Sequence, residues 1–315
     1  MRFLSKGARA AGKPSGSWVY LLFLGPSLLG VSVFTLIPFL DVIRRSFVDV
    51  SKERFCGLKN YQAVCSNQAF RLALGNTGKF LAVCVPLLLA LSLLLANLAY
   101  FGGRKAKMHE RGHLPDEPQL FRKGRAFGAR AYQRVSLLPM AIPAACLAFV
   151  WKMIFHRYGL LNSWLGASED WLNSPRAFGV LTASFLWKNT GYYAALWLTG
   201  LEQIPNSRYE AASLDGAGAL AKFWHVTLPG LKPMAAAALI LALTGALKSY
   251  REAWLLAGEY PEKGIYMIQH LFHNWFRDMS LEKMAAGAVI LVCIFAALAY
   301  PFRKKGGGNP DAGQF

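Results

Sequence analysis

Apolar residues are not spread evenly along this chain. They gather in blocks of about 20 residues, the length that crosses a hydrocarbon core of about 30 Å at a helical rise of about 1.5 Å per residue. The blocks run roughly over Trp18–Leu40, Lys79–Phe101, Val135–Phe155, Phe178–Leu198, Pro233–Leu256 and Met284–Phe302. They predict an all-α polytopic membrane protein with six transmembrane helices in one body, 18–302. Pro26, Pro38, Pro86, Pro139 and Pro143 fall in or at the ends of these blocks. Prolines are tolerated inside a membrane where neighbouring helices satisfy the freed carbonyls, so the bundle is expected to hold irregular helices.

Composition and charge sharpen the picture. Of the 315 residues, 54% are hydrophobic and only 17% charged, below the quarter or so usual for a soluble domain. The formal charge of +18 raises nucleic acid, anionic lipid or a positive-inside membrane bias as explanations. The positions of the basic residues favour the last. With the N-terminus inside, the segments 1–17, 102–134, 201–232 and 303–315 hold 19 Lys and Arg, against 11 in the outer segments 41–75, 156–177 and 258–283. Both termini are therefore expected on the cytoplasmic side, as tails over 1–17 and 303–315, with no nucleic-acid partner. The first block lacks a small-residue cleavage site and is read as a retained span.

The stretch YEAASLDGAGALAKFWHVTLP, Tyr209 to Pro229, lies between two apolar blocks and is patterned differently. Ser207 followed by Glu210 has the spacing of a capping box, predicting a helix from about Arg208. Gly216 and Gly218 would end it, and a second helix would run over Ala219–Thr227 with Leu220, Phe223 and Trp224 on one face. Pro229 and Pro233 would stop that helix and start the fifth span. Such a helical hairpin, 207–229, can lie in the lipid interface or insert into a groove on a cytosolic partner. Its few charges are too sparse for a DNA-binding helix-turn-helix.

EAASLDGAGALAKFWHVTLP resembles the EAA loop of ABC importer permeases of the binding-protein-dependent, carbohydrate-uptake type. Glu210, Ala211, Ala212, Gly216, Leu228 and Pro229 stand at the positions of the motif, and Val226 replaces its usual isoleucine. GLKNYQAV, ALGNTGKF, LLPMAIP, FLWKNTGYY and GLEQIPNSRYEAASLDGA resemble further segments of the same family, so the similarity covers about 18–101 and 120–302. The resemblance implies a permease that translocates a sugar or oligosaccharide across the bacterial cytoplasmic membrane. It implies four kinds of company: a second, homologous permease, two cytosolic ATPase subunits, an extracellular solute-binding protein and the lipid bilayer. It assigns ATPase coupling to the EAA loop.

Other signals are weaker. HERGH, His109 to His113, spells the zinc-protease pattern, but Gly112 and Pro115 break the helix that pattern needs, and no metal is expected. The surrounding basic loop, 102–134, carries an insertion of about 20 residues relative to the permease family and suits a surface near anionic lipid. Lys248-Ser249 lacks the glycine of a phosphate loop, so no nucleotide cofactor is expected, and no catalytic residue is assigned. Cys56 and Cys65 share an outer loop and could form a disulfide; Cys84, Cys146 and Cys293 lie in spans. Polar residues within spans are costly and need a role. Trp187, Asn189, Tyr192 and Tyr193, beside Lys188, and Ser249, Tyr250 and Glu252, beside Arg251, offer aromatic faces, amides and hydroxyls that suit a sugar. They are the expected substrate path. A secondary transporter would need intramembrane carboxylates for ion coupling, and only Glu252 stands near a span end.

Overall fold

The computed structural model describes residues 17–49, 54–110 and 137–305. It is mostly helical. Two compact units emerge: residues up to Asn67 together with those from Trp275 onward, and residues Gln68–Asn274.

The first unit opens with α1 (Ser17–Val31), a π-helical turn (Ser32–Leu36) and α2 (Ile37–Ser46). The wide turn has a local cause. Pro38 has no N–H and its ring crowds the preceding turn, and the Ile37 N–H reaches back five residues to the Ser32 carbonyl. The helix passes the proline instead of breaking. It then outlasts the apolar block by six residues, because Asp41 holds both Arg44 (2.9 Å) and Arg45 (2.6 Å) on its last turns. A two-residue antiparallel ladder, β1 (Val48–Asp49) with β2 (Arg54–Phe55), departs from the all-α expectation. Asn60 on α3 (Lys59–Ser66) donates to the carbonyls of Ser46 (3.0 Å) and Val48 (3.1 Å), closing this corner. The final helix, α15 (Leu281–Lys305), packs against α2 and α3.

The second unit is built around α4 (Gln68–Glu110) and α8 (Ala177–Glu202), which pack along one another. Phe80, Cys84 and Leu88 of α4 meet Phe185, Trp197 and Leu201 of α8 in the core. The Trp197 indole donates to Ser92 Oγ at 3.1 Å, so a polar atom enters that core with a partner. α12 (Lys232–Leu247) packs on both helices and buries Ala238, Ala242 and Ala246. Alanine every fourth residue lets helix backbones approach closely, which is the economical way to pack helices in lipid.

Between these lie α5 (Leu138–Ala141), α6 (Ala144–Phe155) and α7 (Leu160–Leu165), then the hairpin 206–230 and α13 (Tyr250–Ala257). A 3-10 turn (Lys263–Ile265) and α14 (Ile268–Arg277) complete the order. Asn76 of α4 donates to the carbonyls of Lys263 (2.5 Å) and Tyr266 (2.9 Å), and Thr77 Oγ1 accepts the Ile268 N–H (3.1 Å). The ALGNTGKF stretch thus pins the segment that precedes α14.

Three helical stretches among the described residues are long and apolar enough to cross a membrane: Leu22–Ser46, Gln68–Phe101 and Lys232–Ala257. The fourth and sixth expected spans coincide with α8 and α15. The third is interrupted. Ile142 and Pro143 are extended, since a residue before proline avoids the helical region, and α6 has only 12 residues. The expected loop 102–134 begins as helix, because α4 continues to Glu110; its remainder beyond that residue, with the HERGH stretch from Arg111 on, lies outside the described residues up to 136.

Candidate functional site

The hairpin is two short helical arms on a buried base. α9 (Asn206–Leu214) begins one residue after Pro205, which is extended at φ −58° and ψ 136°. The expected capping box is not formed. The helix starts earlier than Arg208, Ser207 falls inside its first turn, and no side chain caps it. Gly216 does end α9, at φ +75°, a conformation glycine adopts without strain. The Ala217 N–H reaches the Ala212 carbonyl (2.9 Å) and the Gly216 N–H the Ser213 carbonyl (3.1 Å), the paired bonds of a Schellman stop. Gly218 is not a stop: extended at ψ 173°, it leads into α10 (Ala219–Lys222).

The second arm continues through a π-helical turn (Phe223–Thr227) into α11 (Leu228–Gly230), so Pro229 does not end it. The Leu228 N–H bonds the Phe223 carbonyl five residues back, the same accommodation as before Pro38. The arms are joined at their base. The Tyr209 hydroxyl and Thr227 Oγ1 lie 3.0 Å apart, with Thr227 fully buried, and the Tyr209 ring meets Phe101 edge-on at 6.0 Å. Farther out, Lys222 Nζ donates to Ser213 Oγ (2.7 Å). Below the base, a side chain on Gly200 or Gly230 would collide with Leu231 or Ile204, respectively, so the hairpin meets α8 in close contact. Tyr209 and Thr227 were not singled out by motif; a tyrosine on an otherwise small, polar helix was the available signal.

Of the motif residues, Glu210, Ala211 and Pro229 are exposed, Ala212 and Leu228 half-buried. Leu214 is 90%, Leu220 72% and Trp224 56% exposed, so the hairpin carries an apolar tip with a carboxylate beside it. The π turn rotates Trp224 out and leaves Phe223 half-buried, so the expected apolar stripe is split.

The expected path residues do not form one wall. At about 3.6 residues per turn, Lys188 shares a face with Tyr192 and Asn189 with Tyr193, while Trp187 points elsewhere. Trp187 is exposed and meets Trp151 edge-on at 5.9 Å. Asn189 donates to its own helix at the Phe185 carbonyl, and Ser249 donates to the Ala246 carbonyl. Tyr193 is buried and meets half-buried Tyr192 edge-on. Lys188 of α8 and Glu252 of α13 form an ion pair at 2.6 Å, each side chain 16% exposed. Cys56 and Cys65 do not form the disulfide that their shared loop allows; Cys56 Sγ instead donates to the Phe47 carbonyl at 3.4 Å. Among the described residues no group of three His, Cys, Asp or Glu side chains is placed to hold a metal ion.

Tyr250 meets His270 of α14 edge-on, with ring centres 4.9 Å apart, and the Tyr266 ring stacks on the same imidazole at 5.6 Å. His270 is fully buried, and its Nδ1 accepts the Met267 N–H at 3.1 Å. Burial, helped by the neighbouring His273, holds its pKa down at about 4.

The comparisons with known proteins extend over most of the chain. Residues 122–302 match the family described as binding-protein-dependent transport system inner membrane component. The chain is 31% identical to the trehalose/maltose transport system permease of Thermococcus litoralis, over 88% of each protein. It is 29% identical to a sulfoquinovosyl glycerol transport system permease of Agrobacterium fabrum, covering 88% of this chain and 85% of that one. A crystal structure of a bacterial ABC transporter importing the acidic polysaccharide alginate shares the fold at a TM-score of 0.71 and 20% identity, covering 91% of this chain and 94% of that one.

Two predictions follow from the geometry. Glu252→Gln strands a buried ammonium and lowers stability by about 3–5 kcal/mol, whereas Lys188→Met with Glu252→Met recovers most of the loss; thermal melts of the purified complex measure both. For His270 the folded pKa lies below the unfolded value of about 6.5. Its contribution is therefore flat above that pH and is lost as pH falls toward 4, by about 3 kcal/mol in all. Among the described residues, Tyr250 and Tyr266 make ring contacts with the imidazole, and His273 is the titratable group that acts on it. Melting curves of His270→Phe should show a shallower acid slope than the parent.

Proposed function

The chain belongs to the binding-protein-dependent inner membrane components, the permease subunits of sugar-type ABC transporters, and on that premise we propose that it carries a sugar or oligosaccharide into the cell. It is a transport component and not an enzyme. The reading has six membrane crossings, with both termini on the cytoplasmic side. The interrupted third segment, α5 and α6, contributes a broken crossing, as irregular backbone is tolerated where other helices cover it.

A second, homologous permease completes the pathway, two cytosolic ATPases drive it, and a solute-binding protein delivers the sugar from outside. A solved alginate importer has been crystallised with a periplasmic protein holding an alginate pentasaccharide, which supports the last of these. Substrate class rests on relatives whose names specify trehalose and maltose, sulfoquinovosyl glycerol or arabinooligosaccharides. All are glycosidic and rich in hydroxyls.

The observation that carries the proposal is the hairpin. Leu214, Leu220 and Trp224 expose apolar surface at its tip, Glu210 and Ala211 are exposed on its first arm, and its base is locked to the core through Tyr209, Thr227 and Leu231. An exposed apolar tip suits insertion into a partner groove. A rigid base lets a push on that tip move the spans as a body. ATP-driven closure of the ATPases would supply the push. Trp187, Asn189, Tyr192, Tyr193, Ser249, Tyr250 and Glu252 would contribute to the path in other conformations of the cycle.

Co-purification tests this reading. Glu210→Lys and Leu214→Asp should each weaken ATPase retention by about thirtyfold or more, the scale of one interface hot spot. Retention at the parental level in both variants would contradict docking through the hairpin.

A further inference from the structure

α14 carries three buried side-chain polar atoms with no partner among the described residues, on Gln269, His270 and Asn274, and the last two share a face. His270 is fully buried and Asn274 is 4% exposed. They stand four residues apart on one helix, so their side chains are neighbours on the same face. The hydrogen bonds around them settle which atoms are spare. His270 Nδ1 accepts the Met267 N–H, which leaves its proton on Nε2. Asn274 Nδ2 donates to the Tyr266 hydroxyl at 3.0 Å, which orients the amide and leaves Oδ1 as an acceptor. Neither His270 Nε2 nor Asn274 Oδ1 has a partner among the described residues.

One free donor and one free acceptor on a shared face define the complementary chemistry. A carboxylate or phosphate would satisfy the imidazole N–H and repel the amide oxygen. An ammonium would do the reverse. A hydroxyl accepts from one and donates to the other. Leaving both groups unpaired would cost heavily, because each is removed from water. The aromatic setting fits the same guest: Tyr250 and Tyr266 wall the imidazole, and aromatic faces suit the C–H surface that accompanies hydroxyls in a sugar.

We propose that His270 Nε2–H and Asn274 Oδ1 form a hydroxyl-binding site behind Tyr250, which holds one oxygen between them. The oxygen belongs to an ordered water when the site is closed from solvent, or to a sugar hydroxyl when substrate occupies it. The second source rests on the transport function proposed above; the first does not. Neutrality of the histidine is required, since a proton on Nδ1 would break the bond from Met267, and burial secures that neutrality.

A cryo-electron microscopy map of the assembled transporter, at a resolution that shows ordered water, tests the site directly. One oxygen within hydrogen-bond distance of both atoms is the expected result. If it persists unchanged when maltose-loaded binding protein is added, water is the guest; replacement by a maltose hydroxyl identifies the sugar as the guest. No density between the two atoms, or a direct bond between them, overturns the proposal. A mutant cycle gives an independent reading without any sugar. His270→Phe and Asn274→Leu should each lower the melting temperature by about 2–8 °C. The double variant should lose clearly less than the two shifts together, because the shared oxygen is released only once. Additive shifts would show that the two groups do not share a guest and would also overturn it.

Discussion

The bond between the Tyr209 hydroxyl and Thr227 Oγ1 closes the base of the hairpin where both side chains are buried. A hydroxyl pair there would be a liability if either partner were absent, since the other would be left unpaired away from water. Present together, the two hydroxyls bind the arms, and the Tyr209 ring extends the lock to Phe101 at the end of the apolar stretch of α4. Gly200 and Gly230 remove the side chains that would hold the hairpin away from α8. Everything exposed on the hairpin, from Glu210 to Trp224, is therefore displayed from a fixed support.

The same device appears twice where a helix must pass a proline. Before Pro38 and before Pro229 the chain widens into a π turn, and the N–H of the preceding residue reaches five residues back. Where the proline follows an extended residue, as at Ile142-Pro143, the helix ends instead. Proline alone does not distinguish these outcomes in a sequence. The preceding backbone decides, and that is set by packing that a linear pattern does not contain. This is why the end of the hairpin at Pro229 and the continuity of the third span were misread from the pattern, while the lengths of α8 and α15 were legible from theirs.

Glycine was more informative than polar patterning. Gly216 announced its stop because a left-handed residue at a helix end almost demands it. The Ser207 and Glu210 spacing announced a cap that did not form, because Pro205 starts the helix before that serine can act as its cap. In the expected path, residue type was legible but direction was not. Asn189 donates to its own helix, Ser249 donates back to the end of the helix before it, and Glu252 is engaged with Lys188. His270 and Asn274 were passed over because an isolated histidine and asparagine in a loop carry no pattern until a helix places them on one face. Identity came chiefly from the long hairpin motif, whose residues are spaced for a shape as well as for chemistry.

The central claim is that this hairpin is the joint through which the ATPases move the spans. Ala211→Cys, in a background whose five native cysteines are replaced by serine, would place a thiol on its exposed arm. Paired with single cysteines on the ATPase, and separately on the solute-binding protein, it can be oxidised in native membranes. The account predicts a disulfide to the ATPase that halts uptake and a reductant that restores it. A cross-link only to the solute-binding protein, or uptake that continues with the ATPase cross-linked, would contradict it.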